Sequence, residues 1–231
     1  MKKIGLIGGV TWASTMDYYR LINIMSNKLL GDHNTAEILL YSVNFEDILQ
    51  MMNHQKWLEI ELLLTEKARA LKSAGADFFA ICSNTLSKIG QQVSKKSGLP
   101  IVDMVTSVAA AIQEKGFEKV AFLGTAFAMN DSYYREGLKS FDIEAFIPDD
   151  KERHMVHGII MDELAYDNLK PESRNAILNI MNRMQKKHNI EGVVLGCTEL
   201  PMLIKQTDTE IPVFDTTEIH ARAIVDFAFN D

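Results

Sequence analysis

The stretch "EKVAFLGT" at residues 118–125 repeats the pattern of "KKIGLIGG" at residues 2–9: a charged pair, a short apolar run, then a glycine turn. Working outward from this pair, "ADFFAICSNT" (76–85) is matched by "IEGVVLGCTE" (190–199), and "LPIVD" (99–103) by "IPVFD" (211–215). The offsets nearly agree, at 116 from Gly8 to Gly124, 114 from Ser83 to Cys197 and 112 from Asp103 to Asp215. One reused apolar strand would carry little weight, because α/β chains share strand vocabulary. Three landmarks in the same order at nearly one offset indicate an internal duplication.

The runs between these landmarks set the fold class. "KKIGLIGG", "AEILLYSV" (36–43), "ADFFAIC" and "LPIVD" read as short strands, whereas "STMDYYRLINIMSNKLL" (14–30), "KWLEIELLLTEKARALKSAG" (56–75) and "MVTSVAAAIQEKG" (104–116) have helical spacing, with a further helix from about Asn84. Strands alternating with helices predict parallel sheets covered on both faces. The expectation is an α/β protein of two similar Rossmann-like α/β/α lobes related by a pseudo-twofold. The first lobe is placed at 1–116, joined by a returning C-terminal helix at 216–231, and the second at 117–215. Ligands of such folds bind beyond the carboxyl ends of the strands, which places the active site in a cleft served by both lobes.

Composition narrows the function classes. A 231-residue chain with 47% hydrophobic and 24% charged residues can build a substantial core. A net charge of −7, with nothing more basic than the short "SKK" and "QKK", argues against nucleic acid as a partner. No apolar run is long enough to span a bilayer, and "MKKIGLIGG" lacks the apolar core of a signal peptide, so a cytoplasmic location without membrane association is expected. The two cysteines then read as free thiols. "GLIGG" is neither GxGxxG nor a P-loop and implies no nucleotide. His154 and His157 have helical spacing but no third ligand, which favours a solvated helix face over a metal site. Neither a metal nor a cofactor is expected.

Cys197 stands between the apolar run "GVVLG" and a helix expected to open with Thr198 as N-cap and Pro201 in its first turn. A thiol at a helix N-terminus feels a positive dipole end, and the expectation is a lowered pKa. Within the repeat, Ser83 is the counterpart of Cys197, and Cys82 is the counterpart of Gly196. Cys82 therefore reads as the last residue of a buried strand, packed in the core.

Taken together, "GLIGGVTWASTMDYYRLIN" (5–23), the Ser-Asn-Thr after the third strand, "GCTEL" (196–200) and "PVFDTTEIHA" (212–221) resemble the aspartate/glutamate racemase family, over nearly the whole chain and most closely its aspartate and broad-specificity amino-acid racemase branch. The resemblance implies an isomerase that needs no pyridoxal phosphate and assembles as a homodimer. In the usual member a thiol from each lobe flanks the α-carbon, because inversion requires removing a proton from one face and delivering one to the other. By that resemblance Cys197 is the second-lobe thiol, whereas Ser83 occupies the position of the first. Some relatives with a hydroxyl there act preferentially on L-enantiomers of acidic amino acids, and others with one thiol carry out lyase chemistry such as arylmalonate decarboxylation. Three readings follow: a racemase of aspartate or glutamate, a one-thiol isomerase or lyase, and a silent dicarboxylate-binding protein.

An acidic amino acid needs donors for its carboxylates, and helix N-termini following strands supply them. The candidates are Gly9, Val10 and Thr11 after the first strand, Asn84 and Thr85 after the third, and Thr125 and Thr198 at the matching places of the second lobe. Met52 falls where some relatives carry a polar side chain near the distal carboxylate, and Glu163 in "MDEL" is a further candidate substrate contact. Asp103 and Asp215 read as structural residues at strand ends.

Overall fold

The computed structural model describes residues 1–230. In its first part β1 (Ile4–Gly8), α1 (Trp12–Leu30), β2 (Ile38–Ser42), α2 (Phe45–Asn53), α3 (Trp57–Ser73), β3 (Phe78–Ile81), α4 (Gly90–Ser97) and α5 (Met104–Glu114) follow one another. The second part contains β4 (Lys119–Leu123), α6 (Ala126–Asn130), α7 (Tyr133–Lys139), β5 (Glu144–Phe146), α8 (Asp150–Asp162), α9 (Pro171–His188), β6 (Gly192–Leu195), α10 (Leu200–Leu203), β7 (Val213–Asp215) and α11 (Thr216–Phe229). The chain forms two compact units, Met1–Met104 with Thr217–Asp231, and Val105–Thr216.

The first unit is built on a parallel sheet of order β2-β1-β3. Its central strand β1 and its neighbour β3 are buried along their whole length, so they contain no alternation of polar residues. Ile22 of α1 and Ile60, Leu64 and Ala68 of α3 are fully buried at helical spacing. The segment "LPIVD", expected as a fourth strand, makes one bridge, Phe79 with Ile101. The Phe79 N–H donates to Pro100 O at 2.8 Å and the Val102 N–H to Phe79 O at 2.9 Å, but pairing extends no further into a ladder.

The second unit has a parallel sheet of order β5-β4-β6-β7. Strand for strand this is the order of the first unit, with β7 where the Ile101 bridge stands, so the two units share one topology. The first unit includes α11, whose Ala228 O accepts from the Lys2 N–H at 2.9 Å and whose Phe227 meets Phe78 at 4.7 Å between ring centroids. The units divide ahead of the 116/117 boundary read from the sequence, because α5 engages the second unit. A Cβ on Gly137 would lie 2.7 Å from Val105 Cγ1, and the Gln113 amide donates to Phe141 O at 3.2 Å.

Candidate active site

In the first unit the carboxyl end of β1 runs through Gly9, at φ +97°, into α1. A side chain there would strike the Val43 carbonyl oxygen at 2.2 Å, so the turn demands glycine both for its φ and for its space. The Gly9 N–H donates to Thr15 Oγ1 at 2.8 Å, and that hydroxyl in turn donates to Thr11 O at 3.0 Å. Thr11 caps α1 by accepting from the Ser14 N–H. Val10 and Thr11 are half-buried, and Met52 is buried in α2.

At the end of β3 the Cys82 N–H donates to Ile7 O at 2.9 Å, and the Cys82 side chain is fully buried. Burial alone pushes its thiol far above the ordinary range, because no neighbour compensates a thiolate there. Ser83 is 8% exposed, and its Oγ accepts from the Leu86 N–H at 3.4 Å. The following turn is a 3-10 helix, Leu86–Ile89, tied back when the Ser87 hydroxyl donates to Ser83 O at 2.8 Å. Asn84 is buried and Thr85 half-buried beside it.

The second unit presents the equivalent turn with different chemistry. The Gly196 N–H donates to Leu123 O at 2.7 Å, the counterpart of the bond from Cys82 to Ile7. The ladder therefore pairs Gly196 with Cys82 in the repeat, and Cys197 with Ser83. Glycine is required before Cys197, since a Cβ at Gly196 would lie 2.2 Å from the Phe122 ring. Cys197 is 9% exposed. Its thiol donates to Glu199 Oε2 at 2.8 Å, and the Thr198 hydroxyl donates to the same oxygen at 2.7 Å.

Here the expectation of a lowered thiol pKa fails. Burial and the Glu199 carboxylate hold the Cys197 thiol well above its usual range. The N–H groups of Glu199 and Thr198 favour the thiolate but are outweighed. Burial contributes most, and the helix offers little against it: α10 has only four residues, and Glu199 rather than Thr198 is its N-cap. A full negative charge beside the sulfur overrides the partial charge of so short a helix. Glu199 was legible as the last polar residue of "GCTEL", and an acid two places beyond a cysteine in a strand-end turn is the signal that marks it.

Thr125 caps α6, accepting from the Ala128 N–H at 3.4 Å. His157 does not lie on a solvated helix face: it is half-buried, its Nδ1 accepts from the Ala126 N–H at 3.3 Å and its ring packs edge-on to Phe127. His154 is exposed as expected. Glu163 ends α8, where one oxygen accepts from Ser173 Oγ at 2.5 Å and the other from Lys170 Nζ at 3.1 Å. These donors hold its carboxyl below its ordinary range. Among the described residues no group of three His, Cys, Asp or Glu side chains could hold a metal ion.

Comparison with known proteins identifies the class. The family model for Asp/Glu/Hydantoin racemase matches residues 7–224, and the chain belongs to that family of amino-acid racemases. A solved structure of a candidate Asp/Glu racemase from Yersinia pestis is 37% identical and covers 100% of both chains at a TM-score of 0.95. An aspartate racemase homologue from Pyrococcus horikoshii OT3 is 36% identical, again over 100% of both, at a TM-score of 0.90. The broad specificity amino-acid racemase RacX of Bacillus subtilis (strain 168) is 21% identical over 228 residues, 96% of each chain.

Proposed function

We propose that this enzyme racemises acidic amino acids, aspartate or glutamate, without a cofactor and with a preference for reaction from the L-enantiomer. The supporting observation is the inequality of two equivalent turns. The equivalent bonds from the Cys82 N–H to Ile7 O and from the Gly196 N–H to Leu123 O support taking Ser83 and Cys197 as equivalent positions of one repeated topology. Only the second turn carries a thiol with a carboxylate acceptor; the residue equivalent to Glu199 is Thr85.

Inversion needs one group for each face of the α-carbon. Cys197 serves the face from which the L-substrate loses its proton, and Ser83 stands for the other. A serine hydroxyl needs an adjacent base to act. Among the described residues no base is hydrogen-bonded to Ser83 Oγ, which accepts from the backbone N–H of Leu86. Abstraction from the L-enantiomer should therefore be competent and abstraction from the D-enantiomer slow. The substrate carboxylates take donors from the glycine and threonine turns: Val10 and Thr11, Asn84 and Thr85, Thr125 and Thr198. Met52, apolar where some relatives carry a polar side chain, argues against a clean preference for one of the two acids. The expected assembly is a cytoplasmic homodimer, which sedimentation velocity would register as twice the 26.0 kDa chain.

The test is incubation with L- and D-aspartate and L- and D-glutamate in deuterated water, following loss of the α-proton by NMR together with chiral analysis. Deuterium entering the L-substrate faster than it inverts is the expected result. No exchange with any of the four, despite binding, would overturn the reading in favour of a silent binding protein. Turnover of an α-substituted malonate without amino-acid exchange would identify a lyase instead.

A further inference from the structure

Resting on that reading, we infer that Cys197 and Glu199 act as one proton-relay pair, with the thiol passing its proton to the carboxylate as it accepts the α-proton. The geometry is direct, since the thiol donates to Glu199 Oε2 at 2.8 Å and the Thr198 hydroxyl fixes that same oxygen at 2.7 Å. Glu199 is half-buried and Cys197 is 9% exposed, so the pair is largely removed from water. Among the described residues Glu199 is the sole charged side chain acting on the Cys197 thiol.

A free thiolate beside Glu199 would put two negative charges in one partly dry turn, which burial and like-charge repulsion oppose. The relay avoids this. The pair carries one negative charge and one transferable proton, and moving that proton from sulfur to oxygen leaves the net charge unchanged. In the forward step a sulfur lone pair takes the α-hydrogen as a proton. The electron pair of the broken C–H bond stays on carbon, and the original thiol proton passes to Oε2, leaving a thiol, a neutral Glu199 and the carbanion. Reversal of the same transfers returns hydrogen to carbon. The N–H groups of Glu199 and Thr198 at the sulfur stabilise the charge that appears there in transit. Glu199 is thus a positioning and proton-accepting residue acting through Cys197, and Thr198 orients its oxygen.

Two measurements on purified full-length protein test the pair: α-proton exchange of L-aspartate in deuterated water, and the pH profile of Cys197 alkylation by iodoacetamide, read on the Cys197 peptide by mass spectrometry. A relay predicts a wild-type exchange rate that reaches its plateau at lower pH than alkylation, since the relay starts from the thiol, which burial and Glu199 favour, whereas alkylation needs the thiolate. Exchange rising in step with alkylation would identify a plain thiolate base and overturn the pair, with no variant required. Glu199→Gln removes the neighbouring charge, so its alkylation midpoint should move to lower pH, while exchange should fall by about 100-fold or more. Exchange within about threefold of wild type, or increased alongside the freer thiolate, would also overturn it. The control is Cys197→Ala. Its retention of exchange would sink the racemase reading itself, whereas a silent Cys197→Ala beside a normal Glu199→Gln would sink only the relay.

Discussion

At Cys197 two influences oppose each other: backbone N–H groups that favour a thiolate, and a carboxylate with burial that favours the thiol, the latter prevailing. Ser83, at the equivalent turn, offers a hydroxyl that accepts from the Leu86 N–H, and Cys82 beside it is sealed in the core. Replacing Cys197 with alanine should abolish exchange into L-aspartate and leave the circular dichroism spectrum unchanged, because the side chain packs at a strand end rather than within a sheet. Cys82→Ala should change activity by less than about tenfold and cost about 1 kcal/mol of stability, the usual scale for a small core truncation. A loss matching that of Cys197→Ala would make Cys82 the acting thiol. Ser83→Cys supplies a proton-accepting sulfur at nearly constant size and should raise turnover of the D-enantiomer by about tenfold or more. Chiral chromatography of D-aspartate incubations would show no gain if another group serves that face.

Among the elements, α11 has a buried polar anchor within the first unit. His220 Nε2 lies 2.9 Å from Val102 O, and a carbonyl can only accept, so Nε2 carries the proton. Nδ1 then accepts from the Tyr18 hydroxyl at 2.9 Å. Desolvation lowers the His220 pKa from 6.5 to about 4, against smaller opposing effects of Val102 O and Asp103. Above pH 6.5 the ring is neutral both folded and unfolded and contributes no pH dependence. As pH falls toward about 4 the unfolded chain takes up a proton that the native state refuses, and stability is lost, by up to about 3 kcal/mol. Urea unfolding at stepped pH should show this slope in the wild type and a shallower one in His220→Gln. Equal slopes would remove His220 from the acid sensitivity of α11.

For the whole molecule, the first unit needs both ends of the chain. Ala221, Ile224, Val225 and Ala228 of α11 are buried, and Lys2 is bonded to its last turn. A chain ending at Thr216 would expose this apolar stripe's partners, including Phe78, and leave the Tyr18 hydroxyl without His220. The expected outcome is loss of cooperative unfolding of the first unit and rapid proteolysis within residues 1–104, while the second unit stays protected. Limited proteolysis with mass mapping would decide it, and equal resistance of both units would show that the first folds without α11.

The duplicated topology was legible in the sequence because buried parallel strands must be apolar along their whole length, which leaves "IGLI", "FFAI", "VAFL" and "GVVL" visible as runs bounded by glycine or acid. The pairing of Ser83 with Cys197 was read from the match of Ser-Asn-Thr to Cys-Thr-Glu together with the motif of the family the chain resembles, because offsets of 116, 114 and 112 do not fix a register to one residue. Other features were hidden for physical reasons. The short edge strand β5 is held by three ladder pairs with β4, and so brief a run leaves no periodicity to read. The place of α5 depended on packing against Gly137, a contact between residues remote in sequence. Most consequential was the state of Cys197. Residue order showed a thiol before a helix, but whether that thiol is ionised depends on where the Glu199 carboxylate turns once the chain is folded. The sequence sets an acid two residues beyond the cysteine, but only the folded turn aims its carboxylate at the sulfur and shuts out water, because electrostatic effects there are decided by distances of a few ångströms.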